Sequence, residues 1–124
     1  MAVKVLIVDD QAKFREAARA VVEATDGFQV IGESENGEDS IDASERLHPD
    51  LVLMDVNMPG IDGLQATRRI LKDSNGTVVV LLLSTYEEDE YATRAAECGA
   101  SSYIAKSKFE PDRLIAAWDA ATRN

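Results

Sequence analysis

The chain has little of several things, and each shortage excludes something. One cysteine, Cys98, stands alone in 124 residues, so no internal disulfide can form and a reducing compartment is expected. Basic residues are scarce: 13 Lys and Arg against 23 Asp and Glu give a formal net charge of −10. Nucleic acids and anionic membranes are bound through clustered positive charge, so neither is an expected partner of this domain by itself. No apolar run approaches the roughly 18 residues of a membrane helix. No signal peptide precedes the first strand pattern, and the expected localisation is cytoplasmic. There is one histidine, His48, and no second histidine or metal-ligand spacing accompanies it. No Gly-x-Gly-x-x-Gly fingerprint, linker, low-complexity segment or repeat is present.

What is present is an alternation. Val3–Val8 is rich in β-branched residues and reads as a strand closed by Asp9-Asp10. A helix follows with Phe14, Ala17, Ala18, Val21 and Val22 on one face. Phe28–Ile31 reads as a short, more polar edge strand, and Asn36-Gly37 as a loop. A helix is expected from about Glu38 to Leu47, stopped by His48-Pro49. Leu51–Asp55 is an unbroken apolar run ending at an acid, which suits a central parallel strand buried on both faces. Met58-Pro59-Gly60 turns the chain, and Asp62 is placed to cap a helix carrying Leu64, Thr67, Ile70 and Leu71 inward.

After Asn75-Gly76, Thr77–Leu83 is the most apolar strand and ends at Ser84-Thr85. Glu87 to Glu90 suit the first turn of a helix that Gly99 ends. Ser102–Ala105 is a fifth strand, ending at Lys106. Pro111 suits the first position of a last helix that buries Leu114, Ile115 and Trp118. Five βα units predict an α/β fold: a flavodoxin-like, doubly wound parallel sheet of order 2-1-3-4-5, with residues 1–124 forming one domain.

In that order, the polar residues at the C-terminal strand ends meet at one sheet edge. They are Asp9 and Asp10, Asp55, Ser84 and Thr85, and Lys106. Each has an ordinary reading: Asp10 or Ser84-Thr85 as a helix cap, Lys106 as a solvated lysine. An acid ending a buried apolar strand is harder to dismiss, because burial of an unpaired carboxylate is costly. Three carboxylates together repel and call for a cation, and an all-oxygen site suits Mg²⁺. A carboxylate can act as nucleophile toward a phosphoryl group. The Lys106 ammonium and the Ser84 hydroxyl can offset phosphoryl charge.

These residues resemble the receiver domains of bacterial two-component response regulators. The resemblance rests on Val5–Asp10, Pro49–Asp55, Met58-Pro59-Gly60, Asp62-Gly63, Leu83–Tyr86 and Gly99–Lys106. The Ser-Thr-Tyr-Glu and Lys-Ser details are most similar to the subfamily with a helix-turn-helix (LuxR/FixJ-like) output domain, which bears on transcription.

The resemblance implies roles. Asp55 accepts phosphate from a sensor histidine kinase. Asp10, Asp55 and the backbone carbonyl of Asn57 ligate Mg²⁺, with Asp9 completing the acidic pocket through water. Lys106 pairs with the phosphoryl group or with Asp55. Ser84 bonds a phosphoryl oxygen. Tyr103 is a switch aromatic, Thr85 sets access, and Asn57 and Tyr86 tune phosphate lifetime. The implied activity is not that of a conventional enzyme but of a domain catalysing its own phosphorylation and dephosphorylation. Its output is a changed helix 4–strand 5–helix 5 surface, with a phosphorylation-dependent homodimer as one outcome. Many receivers carry Lys-Pro where this chain has Lys106-Ser107, a departure that touches the loop after strand 5.

Enzymes on similar folds fit less well. A haloacid-dehalogenase-like phosphatase needs a second Asp two residues past its nucleophile, and Gln11 stands there after Asp9. A flavodoxin needs a Ser/Thr-rich phosphate loop where this chain has Gln11-Ala12-Lys13. A receiver-like module that signals without phosphate is the other alternative. Such modules usually lose an acid or the lysine, and all are kept here.

Overall fold

The computed structural model describes residues 2–58, 60–85 and 88–123, with backbone alone for 88–92. Five parallel strands run β1 (Val3–Val8), β2 (Phe28–Ser34), β3 (Leu51–Asp55), β4 (Val79–Ser84) and β5 (Ser102–Ala105). They lie in the order β2-β1-β3-β4-β5. The connecting helices are α1 (Ala12–Glu23), α2 (Gly37–Leu47), α3 (Gly63–Asp73), α4 (Glu88–Cys98) and α5 (Pro111–Thr122). The expected flavodoxin-like topology is therefore the observed one.

Strand parity builds two cores. Side chains alternate across a sheet. Leu6, Val8, Val52, Met54, Val80, Leu82 and Tyr103 pack with Leu64, Ile70, Ala95 and Cys98 from α3 and α4. Val5, Ile7, Leu51, Leu53, Leu81, Leu83 and Ile104 pack with Ala18, Val22 and Leu114 from α1 and α5. Every residue of β3 is buried, as a central strand covered on both faces requires.

The local signals explain the helix starts. Asp62 caps α3 in a full capping box: its carboxylate accepts from Gln65 N–H at 2.9 Å, and Gln65 reaches back to Asp62 N–H. Pro111 opens α5, where its missing N–H costs nothing. Asn36 proves to be the N-cap of α2, accepting from Asp39 N–H at 2.8 Å, so Asn36-Gly37 begins a helix rather than a free loop.

Other expectations are corrected. Strand β2 is not short; it continues to Ser34 through a bulge that skips Ile31. Its extra length is anchored from α1, since Glu33 pairs with Arg15 at 3.1 Å and Arg19 at 2.5 Å. The β4 strand starts at Val79 because Thr77 is held in a turn, both its N–H and its hydroxyl donating to Ser74 C=O. Ala17 is exposed, since Ala18 and Val22 define the buried stripe of α1. Ile115 is 40% exposed, not buried. Leu114 and half-buried Trp118, four residues apart, take the inward stripe, and Ile115 lies about 100° around the helix from Leu114. Trp118 meets Phe28 edge-to-face with ring centroids 6.2 Å apart.

Candidate functional site

The parity that builds the cores also aims the acids. Asp9 follows Val5 and Ile7, and Asp55 follows Leu51 and Leu53, so both continue onto the α1/α5 face. Lys106 follows β5 as the first residue of a 3-10 turn, Lys106–Lys108, and its side chain reaches both acids. The three side chains converge there. Lys106 Nζ stands 2.6 Å from Asp9 Oδ2 and 3.4 Å from Asp55 Oδ1. Ser84 and Tyr103 follow the other parity with Leu82 and share the opposite face.

Asp9 is 1% exposed and Asp55 4%, whereas Asp10 is exposed. Burial pushes the Asp55 carboxyl from its ordinary 3.8 up to about 7; the neighbouring charge of Asp9 adds to this, and Lys106 opposes it. A shallow cleft of about 130 Å³ lies over these groups, lined by Asp10, Gln11, Asp55, Asn57, Ser84, Thr85 and Lys106. Each of these except Gln11 was singled out in the sequence. Tyr103 lies outside the cleft and is buried beneath it on the Ser84 side. Tyr86, with Pro59 and Glu87, lies outside the described residues.

Asp10 is not the cap of α1. Gln11 occupies that position, without a side-chain bond, and Asp9 Oδ1 instead accepts from Gln11 N–H at 2.8 Å. This leaves the Asp10 carboxylate at the cleft. Asp9, Asp10 and Asp55 each offer an oxygen, all within 4.8 Å of one another. Asp9 Oδ2 is buried, and the Lys106 ammonium stands directly against it. With Asp55 ionised, three carboxylates face one ammonium in a pocket of oxygen donors. That donor set fits a hard divalent cation such as Mg²⁺.

Several supporting residues were not anticipated. The Arg15 guanidinium donates to the Asp9 carbonyl at 2.6 Å, fixing the end of β1 from α1. The Phe14 ring lies under Lys106, with Nζ 4.4 Å from its centroid. Gly63 donates to Val56 C=O at 2.9 Å, and a Cβ there would collide with the carbonyl of Asp55. Glu38 Oε1 accepts from Ile61 N–H at 3.2 Å, tying α2 to the loop that follows Asp55. Of these, only the Gly63 constraint had a visible signal, a glycine directly after a capping aspartate.

Comparison with known proteins agrees with this geometry. The family model described as the response regulator receiver domain matches residues 5–119. Response regulator GacA of Pseudomonas syringae pv. syringae is 42% identical over 104 residues, covering 84% of this chain and 48% of that protein. Transcriptional regulatory protein YdfI of Bacillus subtilis is 38% identical over 120 residues, covering 97% of this chain and 55% of that protein. The chain thus spans about half the length of these relatives. A LuxR-family two-component response regulator from Aurantimonas sp. SI85-9A1 superposes with a TM-score of 0.85 at 30% identity, over 97% of this chain and 84% of that one. Receivers of this family use Mg²⁺ at an acidic pocket and interact with sensor kinases. No helix among the described residues is long and apolar enough to cross a membrane. With its sheet order, its acidic cleft and a family match over nearly its whole length, the chain belongs to the response regulator receiver domains, the phosphorylation-dependent switches of two-component signalling.

Proposed function

We propose that Asp55 is the phosphoacceptor, with the site reading as follows. A carboxylate oxygen of Asp55 attacks the donor phosphorus, one P–O bond forms, and the bond to the donor breaks with its electron pair leaving on the donor. The observation that carries this is one buried carboxylate lining an open cleft, 3.4 Å from an ammonium that a second buried acid also holds at 2.6 Å. A structural ion pair would need only one acid for Lys106.

Asp10, Asp55 and the carbonyl of Asn57 would hold Mg²⁺, with Asp9 acting through water. When bound, that ion supplies charge neutralisation for the incoming phosphoryl oxygens. Lys106 supplies a second positive charge, and Ser84 a hydroxyl donor on the other side of the cleft. Thr85 is exposed at the rim and sets access; Asn57, also exposed, faces the route of attacking water. The donor is a sensor histidine kinase.

The switch reading rests on register. Leu82 pairs with Tyr103 and Ser84 with Ala105, so Ser84 and Tyr103 lie on neighbouring strands and on one face. A shift of Ser84 toward a phosphoryl oxygen would leave space beside Tyr103, which is 7% exposed and packed against the α3/α4 core. Phosphorylation then biases an existing equilibrium through contacts that are better in one state. The output is the α4–β5–α5 surface, read by a second copy or by an output domain beyond this chain.

Amide NMR tests the reading. Mg²⁺ alone should shift signals around Asp10 and Asn57. Adding beryllofluoride, a phosphoryl mimic, should extend the shifts to Ser84, Tyr103 and the α4–β5–α5 face. Shifts confined to the cleft would reject the switch and favour a module that signals without phosphate.

A further inference from the structure

Phe14 packs with the α1/α5 core, and that accounts for its apolar character. It does not account for where its ring sits. The Lys106 side chain is 11% exposed, and its ammonium stands close to Asp9 Oδ2 at 2.6 Å, Asp55 Oδ1 at 3.4 Å and the Phe14 ring centroid at 4.4 Å. We propose that Phe14 is a positioning residue for phosphoryl transfer, holding the Lys106 ammonium over its ring face. This rests on the reading of Asp55 as phosphoacceptor and deepens it.

The reasoning is electrostatic. A lysine stem has four rotatable carbons, and its ammonium is a mobile point charge. Charge stabilisation is most effective when the donor is already oriented as charge develops. The two acids hold Lys106, but an acid at position 14 would add a like charge beside an incoming phosphoryl group. An aromatic face attracts a cation through its quadrupole and carries no formal charge. It can therefore hold the ammonium without repelling the phosphoryl oxygens. The backbone makes the placement firm: Phe14 lies in the first turn of α1, its N–H donating to Gln11 C=O at 3.1 Å. Arg15, the next residue, donates to the Asp9 carbonyl. One helical turn thus sets both the lysine and one of its acids.

The test compares wild type, Phe14→Leu and Phe14→Tyr, each also in a Lys106→Met background. Phosphorylation is followed across a range of acetyl phosphate with Mg²⁺. Leucine keeps the apolar packing and removes the ring face. Phe14→Leu should lower the limiting rate about fivefold, the scale of a partly buried cation–π contact. Its half-saturating acetyl phosphate concentration should change less than twofold. Phe14→Tyr should stay within twofold of wild type throughout. In the Lys106→Met background the leucine change should have no further effect. The Lys106 ε-methylene protons, read by NMR before any phosphate is added, should be shifted upfield by the ring in wild type and Phe14→Tyr. They should return toward the free-lysine position in Phe14→Leu. The proposal is overturned if Phe14→Leu is phosphorylated at the wild-type rate, if tyrosine does not preserve the rate, if the loss persists without Lys106, or if the lysine shift does not respond. No phosphate uptake by wild type would sink the phosphoacceptor reading and any role in transfer with it. The lysine shift would then decide separately whether the ring holds the ammonium.

Discussion

Asp55→Asn should stabilise the fold, and by an amount that depends on pH. Burial chiefly, and the adjoining Asp9 charge secondly, push the Asp55 carboxyl up to about 7 in the folded protein, against 3.8 in the unfolded chain. The folded state therefore holds this proton more tightly than the unfolded state does. Below pH 3.8 both states carry the proton and the group has no effect on stability. As pH rises from about 4 to 7, the unfolded chain releases the proton first, so stability falls through that window. Above 7 the cost is complete. At about 1.4 kcal/mol per pH unit, the full cost is about 4 kcal/mol.

Asparagine cannot titrate, so the variant should escape this cost. Urea unfolding in EDTA at pH 5, 6, 7 and 8 measures it. The stability gap in favour of Asp55→Asn should widen by about 2 kcal/mol or more between pH 5 and pH 8. Any difference in amide hydrogen bonding would shift the variant's curve by the same amount at every pH and would not change the divergence. Mg²⁺ should narrow the gap at pH 8, because a cation bound to the acids stabilises the folded wild type. Parallel curves across the window would refute the reasoning.

Three structural substitutions separate the elements that set the site. Gly63→Ala should cost about 1–3 kcal/mol, since its methyl group would be driven into the Asp55 carbonyl; an unchanged urea midpoint would show that the loop yields freely. Leu114→Ala should cost about 2–5 kcal/mol, while Ile115→Ser on the same helix should fall within about 0.5 kcal/mol of wild type, and equal costs would contradict the observed face of α5. Asp62→Ala should cost about 1 kcal/mol through loss of the capping box at α3, read by thermal unfolding, with an unaltered Tm counting against that role.

Most of the fold was legible because its signals are local and repeated. Apolar runs ending in acids, hydroxyls or lysine gave the strands, and Asp62, Gly99 and Pro111 gave helix boundaries. What was not legible depends on partners distant in the chain. Strand β2 runs past Gly32 because Glu33 is held by two arginines of α1, and a glycine in isolation reads as a break. Ile115 reads as inward from its hydrophobicity, but the helix has one inward stripe and Leu114 takes it. The site residues could be grouped at one sheet edge from topology, and strand parity could have gone further by separating Asp9 and Asp55 from Ser84 and Tyr103. The bonds that brace them could not be read in this way. Arg15 to the Asp9 carbonyl and Phe14 beneath Lys106 arise from the angle at which α1 crosses the sheet, and no spacing in the sequence encodes that angle.

The central claim is that Asp55 is the phosphoacceptor. It is tested most directly by the intact mass of the protein after incubation with acetyl phosphate and Mg²⁺, with Asp55→Asn treated alongside. The account predicts one added phosphoryl group on the wild type and none on the variant. Equal uptake by both proteins would place the phosphate on another residue and contradict it, and no uptake by a wild type that binds Mg²⁺ would leave the cleft without the assigned chemistry.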